Sequence, residues 1–145
     1  MRLLLDVMLG TLATYLRMCG HDAAYALDRG VEADADVMAL ARTEDRRLVT
    51  HDAGLAARAD GAIRIDATDI EGQLRELRVA GVGLSLDRPE RCSRCNDRVE
   101  PIEGEGTPDD APDPDEARVW RCRTCGQHYW KGSHWADVKE RLESL

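Results

Sequence analysis

A chain of 145 residues has room for one ordinary α/β unit and a small appendage, but not for two full-sized hydrophobic cores. Its formal charge is -8, and all but Lys131 and Lys139 of its 20 basic residues are arginine. No stretch approaches the roughly 18 to 20 apolar residues that span a bilayer, and the start MRLLLDVMLG has a carboxylate where a signal peptide's apolar run would lie, so a soluble, cytoplasmic protein with no membrane partner is expected. The acidic, lysine-poor, phenylalanine-free composition suggests a high-GC genome and a halophilic, high-salt cytoplasm, and on that expectation molar KCl should stabilise the fold relative to dilute buffer.

Short apolar runs alternating with amphipathic stretches predict an α/β class for residues 1–86, with a parallel sheet and crossover helices. Arg2 to Leu5 reads as a buried strand ending at Asp6. Leu9 to Cys19 follows as a helix, with Leu9, Leu12, Ala13 and Leu16 at helical spacing and Gly20 as its stop. A short extended piece lies around Ala23 to Leu27, then a helix from Asp34 to Glu44, a strand from Arg47 to Thr50 and a short helix opened by Asp52. Ala62 to Ile65 reads as a strand and Asp69 to Ala80 as a helix with Ile70, Leu74 and Leu77 on one face. All three tryptophans lie beyond Leu86, and this shift marks residues 87–145 as a second, smaller unit. Within it, Gly104 to Glu116 is proline-rich and acidic and is expected to be a mobile loop without packed structure, and Ala136 to Leu145 reads as a short helix.

Cys92-Ser-Arg-Cys95 and Cys122-Arg-Thr-Cys125 each put two sulfurs on a tight turn, and together they supply the tetrahedral thiolate cage that Zn²⁺ prefers. Four thiolates leave no position for an activated water, so the zinc is expected to be structural and the unit a zinc ribbon. Two disulfides or an iron–sulfur site are the competing uses of the same cysteines, and the paired spacing with a reducing compartment favours zinc. Cys19, on an apolar helix, reads as a buried small residue. Arginines interleave with aromatic residues around the knuckles, as Arg94, Arg123, Trp130, Lys131, Ser133, His134 and Trp135 illustrate. That pattern fits single-stranded RNA, whose phosphates pair with guanidinium groups and whose bases stack on rings, although the tryptophans serve equally well as core of a small unit.

In open parallel sheets ligands bind at the carboxyl ends of the strands, and the aspartates gather there: Asp6 after the first strand, Asp52 after the strand Arg47 to Thr50, and Asp36, with Asp34 beside it, at the start of the preceding helix. Like charges at such short range call for one or two hard divalent ions, Mg²⁺ or Mn²⁺, and phosphodiester hydrolysis is the matching reaction. Aspartate is also a preferred helix N-cap, and for Asp34 and Asp52 taken alone capping is the simpler role. Asp69 reads as a cap, Asp66 as a minor addition to the cluster, and His21 and His51 have no partner motif.

Taken in order, Leu5-Asp-Val-Met-Leu-Gly10, Leu16-Arg17 with Gly20, Asp36 opening its helix, Leu48-Val-Thr-His-Asp52, the two cysteine knuckles and Tyr129-Trp-Lys-Gly-Ser-His-Trp135 resemble the Mut-seven C-terminal ribonuclease family, PIN-like nuclease domains with a C-terminal zinc ribbon. The resemblance covers nearly the whole chain. It implies a PIN-like fold and metal-dependent RNA cleavage, with Asp6, Asp36 and Asp52 on the family's acidic positions and Arg17 on phosphate. The competing readings are a noncatalytic RNA-binding module, associated with the ribosome or a protein partner, and a phosphatase or receiver-type domain. The last lacks an acidic neighbour after Asp6 and any lysine in residues 1–86.

Overall fold

In the computed structural model, which describes residues 1–103 and 106–145, Arg2–Leu5 forms β1 inside a four-stranded parallel sheet of order β2-β1-β3-β4. β2 is Asp22–Tyr25, β3 Arg47–Thr50 and β4 Ile63–Arg64. Leu3, Leu4 and Leu5 are all fully buried because both faces of β1 are covered, so the strand is a continuous apolar run instead of an alternation. Leu3 and Leu5 share one core with α1 (Gly10–Met18), α4 (Ile70–Val79) and α5 (Ser133–Glu143), and Leu4 shares another with α2 (Asp34–Thr43) and α3 (Ala53–Arg58). The result is the expected α/β fold, with helices on both faces of a parallel sheet.

The remaining strands, β5 (Val99–Pro101), β6 (Val119–Cys122) and β7 (His128–Trp130), make a separate antiparallel sheet that carries the two cysteine knuckles. Helix α5 then leaves this sheet and returns to the first one, where Trp135, Val138 and Leu142 complete the core against α1 and α4. Arg141 fixes it by donating to the Tyr15 hydroxyl at 2.8 Å. The helix begins three residues earlier than the apolar pattern suggested, which puts Ser133, His134 and Trp135 in its first turn. The strand expected over Ala62 to Ile65 shrinks to two residues, since only Val49 and Thr50 of β3 extend far enough to pair with it. Of the acidic loop, Gly104 and Glu105 lie outside the described residues. Residues 106–116 form no helix or strand but hold hydrogen-bonded turns, with the Ala111 N–H on the Pro108 carbonyl at 3.0 Å and the Ala117 N–H on the Asp113 carbonyl at 3.0 Å. No helix among the described residues is long and apolar enough to cross a membrane.

The knuckle sheet is tied to the edge strand β2 by polar groups. Asp22 accepts from Arg46 at 2.7 Å, from the Asn96 amide at 2.7 Å and from Arg2 at 2.9 Å, while Arg91 approaches to 3.9 Å. Burial raises the Asp22 carboxyl, but hydrogen bonds from Arg46 and Asn96 and the charges of Arg46 and Arg91 outweigh it and hold it below the usual carboxylate range. A depressed folded-state pKa contributes stability that is complete above the ordinary aspartate range and is lost as the pH falls below it. Asp22→Ala removes one of the two carboxylates that pair with Arg46, whose side chain is 7 % exposed, and leaves it Glu44 at 2.8 Å, so the loss should be about 2 kcal/mol at neutral pH. Urea melts should show that loss, together with a flatter decline of stability in acid than the parent shows; equal melts at pH 7 would contradict it.

Candidate functional site

Because β1 leads out to β2 on one side and the chain returns to β3 on the other, the carboxyl ends of β1 and β3 form the switch point of the sheet. Asp6 is the residue that follows β1, and its N–H still pairs with the Val49 carbonyl at 2.9 Å. It is 8 % exposed, and its two oxygens accept from the Val7 N–H at 2.9 Å and the Thr50 hydroxyl at 2.7 Å. The same Thr50 hydroxyl accepts the Asp52 N–H at 3.0 Å, so one fully buried threonine links the two aspartates across the switch point. Neither donor to Asp6 carries a charge, and no Arg, Lys or His among the described residues pairs with it.

Asp52 does cap a helix: one oxygen takes the Leu55 N–H of α3 at 3.0 Å, which leaves the other available. Asp34 does not cap. It is the first residue of α2, preceded by Ala33 at the cap, and pairs with Arg58 at 3.2 Å. Asp36 stands in the first turn of α2, exposed, with no side-chain partner among the described residues; because α2 descends from the carboxyl edge toward β3, its N-terminus belongs to the same rim. Asp69 caps α4 through the Gly72 N–H at 3.0 Å, as expected. Among the described residues, the four cysteines are the group of three or more His, Cys, Asp or Glu side chains close enough to hold one ion; Asp6, Asp36 and Asp52 do not approach one another that closely.

The sulfurs of Cys92, Cys95, Cys122 and Cys125 all lie within 4.8 Å of one another, with Cys92 to Cys125 at 3.6 Å and Cys95 to Cys122 at 3.4 Å. A tetrahedron with Zn–S bonds of about 2.3 Å has edges of about 3.8 Å, so the cage suits that ion, and none of the pairs is at disulfide distance. Both knuckles have one backbone design. Cys92 N–H to Asp97 carbonyl and Asn96 N–H to Cys92 carbonyl in the first match Cys122 to Gln127 and Gly126 to Cys122 in the second. Asn96, with φ 69°, and Gly126, with φ 77°, occupy the equivalent left-handed position. Asparagine is among the few side-chain-bearing residues that tolerate it. Burial raises the Cys92 thiol, but hydrogen bonds from Tyr129 and the Cys95 and Arg94 N–H groups outweigh it and bring it to about 7, while burial and its sulfur neighbours push Cys95 up to about 12. One thiolate thus opposes the next until a cation neutralises the set.

Two residues expected on RNA sit inside the molecule instead. Arg17 is 4 % exposed and donates to the carbonyls of Ala23 at 2.8 Å and Ser93 at 3.0 Å, fastening α1 and β2 to the first knuckle. Trp135 is 9 % exposed because the return of α5 buries it in the sheet's core. Arg94, Arg123, Lys131, Ser133 and His134 are exposed and Trp130 is half-buried. Arg94 reaches Gln127 at 3.2 Å and Arg123 pairs with Asp97 at 3.1 Å, ties between the two knuckles. Sequence alone marks Thr50 and Tyr129 only as members of longer motifs and Asn96 not at all; the structure gives Thr50 its place between the aspartates and the Tyr129 hydroxyl its place 2.9 Å from the Cys92 sulfur. The position of Thr50 two residues before Asp52, at a strand's end, was the available signal for the first of them.

Comparison with known proteins agrees with this architecture. No curated protein and no solved structure matches the chain. The family model described as Mut7-C RNAse domain matches residues 1–142, taking in the sheet, both knuckles and nearly all of α5, and the chain accordingly belongs to the Mut7-C RNAse domain family.

Proposed function

We propose that the protein is a metal-dependent ribonuclease that hydrolyses phosphodiester bonds in single-stranded RNA, with Asp6, Asp36 and Asp52 as its catalytic carboxylates. In this reading residues 1–86 form the nuclease unit, and the ribbon within 87–145 holds a structural zinc ion and grips RNA. The observation that carries it is the pair Asp6 and Asp52 at the switch point, joined through Thr50, in a chain whose family is that of an RNase.

Mg²⁺ or Mn²⁺ suits these donors. A buried carboxylate without a cationic partner is costly unless its charge is met, and Asp6 receives only neutral donors. When bound, such an ion lowers the pKa of a water molecule and offsets the charge of the scissile phosphate. The chain's own residues do the positioning. Val7 and Thr50 hold the Asp6 carboxylate in one orientation, the cap contact with Leu55 does so for Asp52, and Asp36, exposed in the first turn of α2, is the third carboxylate of this reading. Arg17 is a positioning residue between sheet and knuckle, not a phosphate contact.

Labelled single-stranded RNA should be cut in the presence of Mg²⁺ or Mn²⁺ and spared in EDTA. Absence of cleavage across metals, salts and substrates would overturn the enzyme reading. The cap at Asp52 favours one alternative, a noncatalytic RNA-binding module, which predicts binding that survives removal of Mg²⁺-class ions and is indifferent to Asp36→Ala.

A further inference from the structure

The acidic loop, expected from sequence to be mobile and without packed structure, has surroundings that give part of it a partner. Residues 104–116 hold six acidic side chains and no basic one, whereas the rest of 87–145 holds ten basic residues against eight acidic. A groove of about 1130 Å³ runs along the knuckle sheet, lined by Arg98, Arg118 and Lys131 together with Trp120 and Trp130; Asp87 and the paired Arg88 and Glu90 line one side of it, and Asp110 of the loop lines it too. The Arg118 guanidinium lies 5.9 Å from the centre of the Trp120 ring. None of the three cations forms an ion pair among the described residues, although the protein as a whole is strongly acidic. Free cations beside aromatic rings, in a groove, are the features that bind a single-stranded nucleic-acid backbone. The turn at Pro108 to Ala111 brings the Asp110 side chain to that groove without any nucleic acid, and the turn at Asp113 to Ala117 sets Asp115 and Glu116 along an adjoining cavity that Arg118 also lines.

We propose that Asp109 to Glu116 acts as an acidic strap that occupies the mouth of this groove and competes with single-stranded RNA for Arg98, Arg118 and Lys131. The proposal rests on the reading of the ribbon as the part that grips RNA. RNA must displace the strap to bind, so the apparent affinity falls by the fraction of molecules whose groove is open. A strap seated nine-tenths of the time would weaken binding about tenfold. Its hold is electrostatic and within reach of screening, so salt acts on the strap as well as on RNA.

The test compares binding of a labelled single-stranded oligoribonucleotide by the parent, by Asp109→Asn/Asp110→Asn/Asp113→Asn/Asp115→Asn, and by Glu32→Gln/Asp45→Asn/Asp60→Asn/Glu143→Gln. The last has the same net charge change at exposed sites outside the loop. Asparagine keeps an acceptor for the Asp115 N–H that now bonds Asp113 at 2.9 Å, so the loop's turns survive the change. At about 50 mM KCl the loop variant should bind roughly tenfold more tightly than the parent and the control within about twofold of it, with the advantage gone near 0.5 M. Adding Arg98→Ala and Lys131→Ala to both parent and loop variant should erase the gap. Equal affinities of loop variant and parent, a gain matched by the control, or a gain that persists without Arg98 and Lys131 would each overturn the strap while leaving the RNA-binding reading in place. Failure of every variant to bind RNA would overturn that reading itself, and the strap with it.

Discussion

Asp6→Asn should lower RNA cleavage by about 10³-fold, on the order of 4 kcal/mol of transition-state stabilisation, while the affinity for uncut RNA stays within about twofold. Asparagine has nearly the same volume and keeps one acceptor oxygen, so the strand end, with its 2.9 Å bond from Asp6 N–H to Val49, has no reason to move. What disappears is the negative charge, in a place 8 % exposed where no other group supplies it. If the carboxylate serves to hold a divalent ion against the scissile phosphate, the loss falls on kcat, since RNA gripped elsewhere does not depend on it. Single-turnover cleavage alongside equilibrium binding separates the two quantities, and equal cleavage by variant and parent would remove Asp6 from the mechanism.

Thr50→Val extends the same argument to a positioning residue. Valine fills the space of threonine but neither donates to Asp6 nor accepts from Asp52, contacts that now stand at 2.7 and 3.0 Å. About a tenfold loss of rate is expected, and it should be accompanied by a higher Mn²⁺ concentration for half-maximal activity. A threonine with only a structural role would change the melting temperature and leave the metal dependence alone.

Cys92→Ser should release the zinc and unfold the ribbon. Cys92 is fully buried, its sulfur touches both Cys125 and the Tyr129 hydroxyl, and its backbone closes the first knuckle against Asp97. A structural zinc site contributes on the order of 10 kcal/mol to the folding of a small unit, more than the short strands β5 to β7 could supply unaided. Metal analysis should find about one zinc per parent chain and close to none in the variant. Amide exchange should accelerate through β6 and β7, and RNA affinity should fall. The parallel sheet should be affected less, though not spared, because Arg17 and the Ala23 N–H lose their acceptors on the first knuckle. Retained zinc and unchanged exchange would mean that three sulfurs suffice, contrary to a closed four-thiolate cage.

Much of this was legible in the sequence because it depends on neighbours along the chain. The strand ends at Asp6 and Thr50 follow from short apolar runs stopped by polar residues, and the caps at Asp52 and Asp69 from a carboxylate three residues before the N–H it accepts. The spacing of the cysteines implied a shared cage, and the sulfurs converge. Illegible were the fates of Arg17 and Trp135. Their surroundings are contributed by residues 76 positions away in the case of Arg17 and Ser93, and by the returning helix α5 in the case of Trp135, and no local pattern distinguishes an arginine that binds phosphate from one that binds buried carbonyls.

By itself, then, the sequence determined which chemistry the chain owns: hard carboxylates at strand ends, four soft thiolates at knuckle spacing, and a separate run of acid between them. Tertiary structure decided how those parts relate. The strand order set Asp6 beside Asp52 with Thr50 between them, the packing of α5 carried the end of the chain back into the core of the parallel sheet, and the turns of the acidic loop put Asp110 in the groove with Arg98 and Lys131. The physical reason is range. Propensity, capping and knuckle turns are settled within about four residues, whereas burial and electrostatic partnership depend on which distant segments the fold brings together.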